Sequence, residues 1–349
     1  MKKLIDLGIL SITGLTLFAC GGNATTQKIS HTDTVITPPD TIHRIDSINK
    51  ASVLTDTSWS KAAKTMTDEK GLKMAPGNKK GEIVKGNLSK PNSGPPTMVN
   101  PFRPQELMDG IKKAQSGDVK GSIPFFTEAI KKNPKNYNAY FYRAKAKVET
   151  GDNQGALEDI NLAIQNNSHE ALYFYYRGKL YSDRAESNLA MNDFNMAIKL
   201  KHDFTDALNY RGVEKAKLGK HQDAIQDYDS AILTNPNYAL CYYNKGTSQA
   251  SLGDYKGAIE TLTKALGIDA KHKLSLLNRG NCYVQLGNYK LAIADFTAVI
   301  QMDPKNGDAY FNRGAAYYLE GDKNMCTDWK MALKLGNTKA KDMLNKNCK

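Results

Sequence analysis

The sequence predicts an all-α fold: a solenoid of helix-turn-helix repeats, closed by a capping helix at its carboxyl end and preceded by a flexible tether. Three observations predict it. Landmark residues recur at steps of 34 residues from about residue 103 to the carboxyl end. Within each step a small residue and a large one stand at two positions that face one another across a hairpin. Between them comes a glycine followed by Asp, Asn or Lys, where one helix has to end and the next begin.

The first element, residues 1–19, is an export signal. Lys2 and Lys3 precede an apolar run from Leu7 to Phe18 that is too short for a comfortable membrane span. The run ends in Leu17-Phe18-Ala19-Cys20, which resembles the bacterial lipobox. That resemblance implies lipidation of Cys20 and, with Gly21 where inner-membrane retention calls for Asp, an outer-membrane anchor facing the periplasm. At about 0.8 kcal/mol per buried methylene, two or more acyl chains hold a protein to a bilayer where one does not. The alternative is an ordinary secretory signal with an incidental cysteine.

Residues 20–104 form the tether. Thr, Ser, Lys, Asn, Gly and Pro dominate, Trp59 and Phe102 are the only aromatics, and Pro38-Pro39 and Ser93-Gly94-Pro95-Pro96 break regular structure. Such a segment cannot bury a core. As a flexible chain it spans roughly 50 Å. A short helix around Thr57 to Lys70, forming on contact with another molecule, is the weaker alternative.

The repeat array occupies residues 105–336, about seven repeats of which the first and last are degenerate, and a capping helix occupies 337–349. With Lys273 as the first position of one frame, the others open at Arg103, Tyr137, Ala171, Thr205, Ala239 and Gly307. Position 8 is Ala144, Gly178, Gly212, Gly246, Gly280 and Gly314, and position 20 is Ala156, Ala190, Ala224, Ala258 and Ala292. Position 24 holds the large knob that fills the hollow: Phe126, Ile160, Phe194, Tyr228, Leu262 and Phe296. The turns are Gly151-Asp152, Gly219-Lys220, Gly253-Asp254, Gly287-Asn288 and Gly321-Asp322, while Arg184-Ala185-Glu186 departs from them and predicts a locally different turn. A closing proline is present at Pro134, Pro236 and Pro304. These residues resemble the tetratricopeptide signature of glycine, alanine, aromatic and proline at fixed places, over residues 103 to 349.

An arginine at position 7 (Arg143, Arg177, Arg211, Arg279, Arg313) is matched sixteen places on by Asp159, Asp193, Asp227 and Asp295, and after one deletion by Asp328. The fifth repeat loses both halves together, carrying Lys245 and Thr261. The pattern reads as ion pairs within each hairpin, of the exposed kind worth about 0 to 1 kcal/mol. It is not a catalytic row.

Composition and motifs exclude much else. The net charge of +12 over 349 residues is spread along the chain with no basic block and no aromatic RNA-binding motif, which argues against nucleic acid. The six histidines, His31, His43, His169, His202, His221 and His272, stand nowhere at metal-ligand spacing. With no phosphate loop, GxSxG or HExxH motif, no catalytic residue, metal, cofactor or small-molecule substrate is expected.

Cys241 and Cys282 fall on core-facing positions and are expected to pack as buried thiols. Gly336 marks the turn into the cap, with Cys326 ten residues before it and Cys348 twelve after. The two lie at nearly the same height on an antiparallel pair, and a disulfide between them is expected.

The tetratricopeptide resemblance implies a right-handed superhelix whose first helices line a concave, peptide-binding groove. It places Phe141, Tyr175, Tyr243, Leu277 and Phe311 there at position 5, Asn244, Asn278 and Asn312 at position 6, and Lys145, Lys179 and Asn281 at position 9. The bland alternative is that the aromatics fill gaps between neighbouring hairpins. Lysine is absent from position 5, so capture of chaperone tails by the family's carboxylate clamp is not supported. The function implied is a membrane-anchored, non-enzymatic scaffold binding other cell-envelope proteins or their peptide segments. A subunit of an outer-membrane protein, pilus or secretion assembly machine is the alternative.

Overall fold

A computed structural model describes residues 104–348. Cys20, the signal and the tether lie outside the described residues. Fifteen helices follow one another: α1 Gln105–Gln115, α2 Val119–Lys132, α3 Tyr137–Glu149, α4 Asn153–Asn166, α5 Ala171–Asp183, α6 Ser187–Leu200, α7 Thr205–Lys217, α8 His221–Thr234, α9 Ala239–Ser251, α10 Tyr255–Ile268, α11 Lys273–Gln285, α12 Tyr289–Met302, α13 Gly307–Glu320, α14 Met325–Lys334 and α15 Lys339–Asn347. No strand is present among the described residues, and no helix among them is long and apolar enough to cross a membrane. They divide into two compact units at Arg184 and Ala185, one holding α1 to α5 and the other α6 to α15.

Within each unit consecutive helices pack on one another, so neighbouring hairpins of a unit buttress each other. The small and large positions explain how closely. A Cβ added at Gly280 would lie 2.6 Å from Phe296, and one added at Gly212 would lie 2.6 Å from Tyr228. Both rings are completely buried. In the second repeat the small residue is Ala144 and its knob is the shorter Ile160, which share one cluster with Ala156 and Leu180. The last hairpin hides its knob from the 34-residue frame: after the deletion it is Trp329, fully buried, 2.7 Å from where a Cβ on Gly314 would sit.

Helix ends follow the predicted chemistry. Asp118, Asp152 and Asp254 accept hydrogen bonds from the backbone N–H groups of Gly121, Gly155 and Gly257, capping α2, α4 and α10. Gly151 ends α3 at φ 90°, in the left-handed region. At the equivalent place after α5 stands Ala185, the one non-glycine described residue with positive φ, at 58°. An L residue there costs about 1–2 kcal/mol.

The arginine row corrects the expectation of exposed pairs. Arg143 reaches Asp159 at 2.7 and 2.8 Å, and Arg211, Arg279 and Arg313 form the same two-pronged contact with Asp227, Asp295 and Asp328. All four carboxylates are nearly buried, between 2% and 6% exposed. Removing one partner of such a pair costs about 3–5 kcal/mol. Each arginine also donates to the preceding hairpin, Arg143 to Thr127, Arg211 to Asn195, Arg279 to Thr263 and Arg313 to Thr297. The exception at Lys245 then has a reason. Its ammonium pairs with Asp229 at 2.6 Å, and Asp229 holds the position that is Thr or Asn in the other hairpins. The carboxylate has moved from the same hairpin to the preceding one, and the stitch between hairpins is kept.

At the carboxyl end Cys326 and Cys348 are joined by a disulfide with their Cα atoms 5.7 Å apart. It ties α15 to α14, and Ala340 and Met343 of α15 pack on Phe311, Ala315, Trp329 and Ala332. The Trp329 indole N–H donates to the Phe311 carbonyl at 3.2 Å, so its polar edge is satisfied in the core.

Candidate functional site

The first helices of the hairpins, α3, α5, α7, α9, α11 and α13, carry the residues predicted to line a groove. Burial divides them. Phe141, Tyr175, Tyr243 and Phe311 are buried, Tyr243 completely, and so are Asn244 and Asn278. Leu277, Asn281 and Asn312 are half-buried. The expectation of open aromatic contact area at position 5 is therefore corrected at four of its five residues. Phe141 packs on Tyr173 with ring centroids 4.9 Å apart, and Tyr243 packs on His272 at 5.1 Å. These rings hold hairpin to hairpin, as the bland alternative had it.

The asparagines are corrected in the same way. The Asn244 amide donates to Asn209 Oδ1 at 2.9 Å, Asn278 donates to Thr247 Oγ1 at 3.0 Å, and Asn312 donates to Asn281 Oδ1 at 3.2 Å. Each position-6 amide thus reaches the preceding hairpin through its N–H₂ group. A buried amide needs such a partner, and a neighbouring side chain one repeat away supplies it before any ligand does. Leu277, Asn281 and Asn312 remain the second unit's partly accessible residues among those predicted.

The first unit carries what the sequence reading did not weigh fully. Tyr175 and Tyr176 meet edge to face at 5.4 Å, and Phe141 meets Tyr176 at 5.1 Å. Lys145 Nζ lies 5.7 Å from the centre of the Tyr176 ring, and Lys179 Nζ lies 5.6 and 5.7 Å from Tyr175 and Tyr176. Lys145 is only 2% exposed. Burial pulls its ammonium down to about 8; Glu149 opposes this and the charge of Lys179 adds to it. The signal available in the sequence was the recurrence of lysine at position 9 beside two aromatic residues at positions 5 and 6.

The two free thiols are buried. Burial pushes Cys282 up to about 12 and raises Cys241 as well, and the Cys241 thiol donates to Asn209 Oδ1 at 3.4 Å. His272 accepts the Ser275 N–H at the start of α11, and burial lowers its basicity. No group of metal-ligating side chains is assembled among the described residues.

With the hairpins and their repeated packing in place, comparison with known families is decisive. A profile described as tetratricopeptide repeat matches residues 108–171, and one described as TPR repeat matches residues 280–321. The chain is a tetratricopeptide-repeat protein. A profile described as a bacterial transcriptional activator domain matches residues 141–280, within the same array of hairpins. The sequence matches no curated protein. Among solved structures, a tetratricopeptide repeat protein from Parabacteroides merdae is similar at 20% identity over 70% of this chain and 98% of its own, with a TM-score of 0.54. The carboxyl-terminal part of a TPR repeat-containing protein from Cytophaga hutchinsonii is similar at 20% identity over 68% of this chain and 99% of its own, with a TM-score of 0.55. These two likenesses bear on the fold. The tetratricopeptide fold itself points to a protein–protein interaction scaffold.

Proposed function

We propose that this protein is a non-enzymatic, lipid-anchored adaptor of the bacterial envelope, binding peptide segments of other envelope proteins along the inner helices of its hairpins. The observation that supports the reading is a partly accessible strip on two successive first helices, Leu277 and Asn281 on α11 and Asn312 on α13, whose amide donates to Asn281 Oδ1, beside the buried Asn278. An apolar side chain beside two amides suits a peptide segment, because its backbone offers both donors and acceptors. The Cys326–Cys348 disulfide supports an oxidising compartment. Lipidation of Cys20 would place the array in the envelope at the end of its tether.

The test is co-purification from detergent-solubilised envelope. Leu277→Ala, Asn281→Ala and Asn312→Ala are each expected to weaken capture by about 1–2 kcal/mol. Gln226→Ala and Glu260→Ala, exposed on second helices of the hairpins, should leave it unchanged. Loss of capture in the second pair alone would refute the inner-face reading, and one stoichiometric complex would favour the assembly-machine alternative. Cys20→Ala is expected to release the protein from membranes; retention at the same processed mass would refute the anchor.

A further inference from the structure

We propose that the face of the last hairpin beneath α15 is a docking surface for α1 of a second copy of this chain, kept covered by the Cys326–Cys348 disulfide until a dithiol reduces it. The array itself shows how one hairpin joins the next. The residue before the small position of a first helix donates to the residue after the knob of the preceding hairpin: Arg279 to Thr263, Arg313 to Thr297 and, as a charge pair, Lys245 to Asp229. One place earlier, Asn278 and Asn312 donate to Thr247 and Asn281 on the preceding first helix. At the two ends of the array these places carry complementary groups. On α1 they are Met108, 37% exposed, and Asp109, half-buried with Oδ1 accepting from Gln105 at 2.8 Å. A carboxylate retains acceptor sites after one such bond. In the last hairpin the residue after the knob is Lys330, exposed beside Trp329, and Ala315 holds the place of Thr247 and Asn281. An α1 set down as every later first helix is set down brings Met108 onto Ala315 and Phe311, and Asp109 beside Lys330. The charge pair has the opposite polarity to Lys245 and Asp229, and each of its members occurs at its place only at its own end of the array.

In the folded chain α15 takes that place, with Ala340 and Met343 packed on Phe311, Ala315, Trp329 and Ala332. Its own hold is weak. It has nine residues, of which two are buried, and its first turn has no side-chain cap; a helix of this length is marginal in water. The turn at Gly336, with φ 92°, and the Asn337 amide donating to Asp308 at 2.8 Å fix its near end. The disulfide fixes its far end, and both cysteines are half-buried rather than enclosed. A dithiol breaks the Sγ–Sγ bond by supplying two electrons and two protons: Cys326 and Cys348 become thiols and the dithiol becomes a disulfide. The far end of α15 is then free to swing about the Gly336 turn and uncover Phe311, Ala315 and Trp329. Because α1 and the last hairpin are different surfaces, the contact is heterologous and adds copies one after another.

The experiment follows the full chain by sedimentation velocity in one detergent buffer, with and without dithiothreitol, so that association through acyl chains is common to both. The oxidised chain is expected to stay monomeric and the reduced chain to form a concentration-dependent series of oligomers. Cys326→Ser combined with Cys348→Ser should associate without reductant. In that background Lys330→Glu and Asp109→Lys should each weaken association about tenfold, the two together should restore it, and Lys256→Glu, exposed on α10, should leave it unchanged. Circular dichroism verifies the fold of each variant. A double-serine chain that stays monomeric, equal association of oxidised and reduced chains, or failure of the combined charge reversal to restore association would overturn the proposal. Association on reduction with α15 still as resistant to proteolysis as in the oxidised chain would overturn the cover. A closed dimer untouched by Asp109→Lys would also overturn the pairing with α1, in favour of two last hairpins meeting face to face.

Discussion

Replacing Lys145 by methionine is expected to make the protein more stable, and by an amount that depends on pH. Methionine keeps most of the aliphatic length of a side chain set against Tyr176, while removing an ammonium that is 2% exposed. Burial lowers the Lys145 pKa from 10.5 to about 8. Between those values the unfolded chain binds a proton that the folded chain does not, so the stability of the native protein rises with pH across the window from about 8 to 10.5. Below pH 8 both states are charged and the full penalty is present. At about 1.4 kcal/mol for each pH unit the penalty at neutral pH is roughly 3 kcal/mol. Lys145→Met should recover roughly 2 to 3 kcal/mol of it. Urea unfolding followed by circular dichroism at pH 7 and at pH 10.5 measures the difference. The expected result is a higher midpoint for the variant at pH 7 and near coincidence at pH 10.5. A variant less stable than the native protein at pH 7, or a difference that does not change with pH, would refute the reasoning.

Three further outcomes are expected. Ala185→Gly relieves a left-handed alanine at φ 58° and should raise stability by about 1 kcal/mol, read as an increase in Tm; no change would mean that the turn is not strained. Cys326→Ser opens a loop closed by a disulfide 22 residues apart in sequence and should lower the stability of the cap by roughly 3 kcal/mol, seen as faster proteolysis within α15. His272 is kept neutral by burial and caps α11, so its contribution is complete above pH 6.5, its ordinary value, and is lost as pH falls below that value towards the lower folded pKa. His272→Asn, which retains a capping acceptor without a titrating ring, should flatten that part of the acid profile of Tm and leave the part due to His221, also lowered by burial.

What the sequence by itself determined is what repeats. A 34-residue period, with Gly280 set against Phe296 and glycine at the turns, defines which face of each helix meets its partner, because hairpin geometry is local and follows from helix periodicity. The pairing of Cys326 with Cys348 was legible for the same reason, since height along an antiparallel pair can be counted from the turn at Gly336. Only the tertiary structure decided how deeply each inner residue lies. Tyr243 and Leu277 share a repeat position, yet the first is fully buried against His272 and the second remains accessible. Their difference comes from the adjoining hairpin, and a period read from the chain cannot report what two successive repeats do to each other when their residues differ. The transfer of a carboxylate from Thr261's position to Asp229, the substitution of Trp329 for the expected knob, and the placing of Lys145 and Lys179 against the one Tyr176 ring belong to that same class. Each is a contact between side chains distant in sequence, and the energy of such contacts depends on separations of a few ångströms that only packed coordinates define.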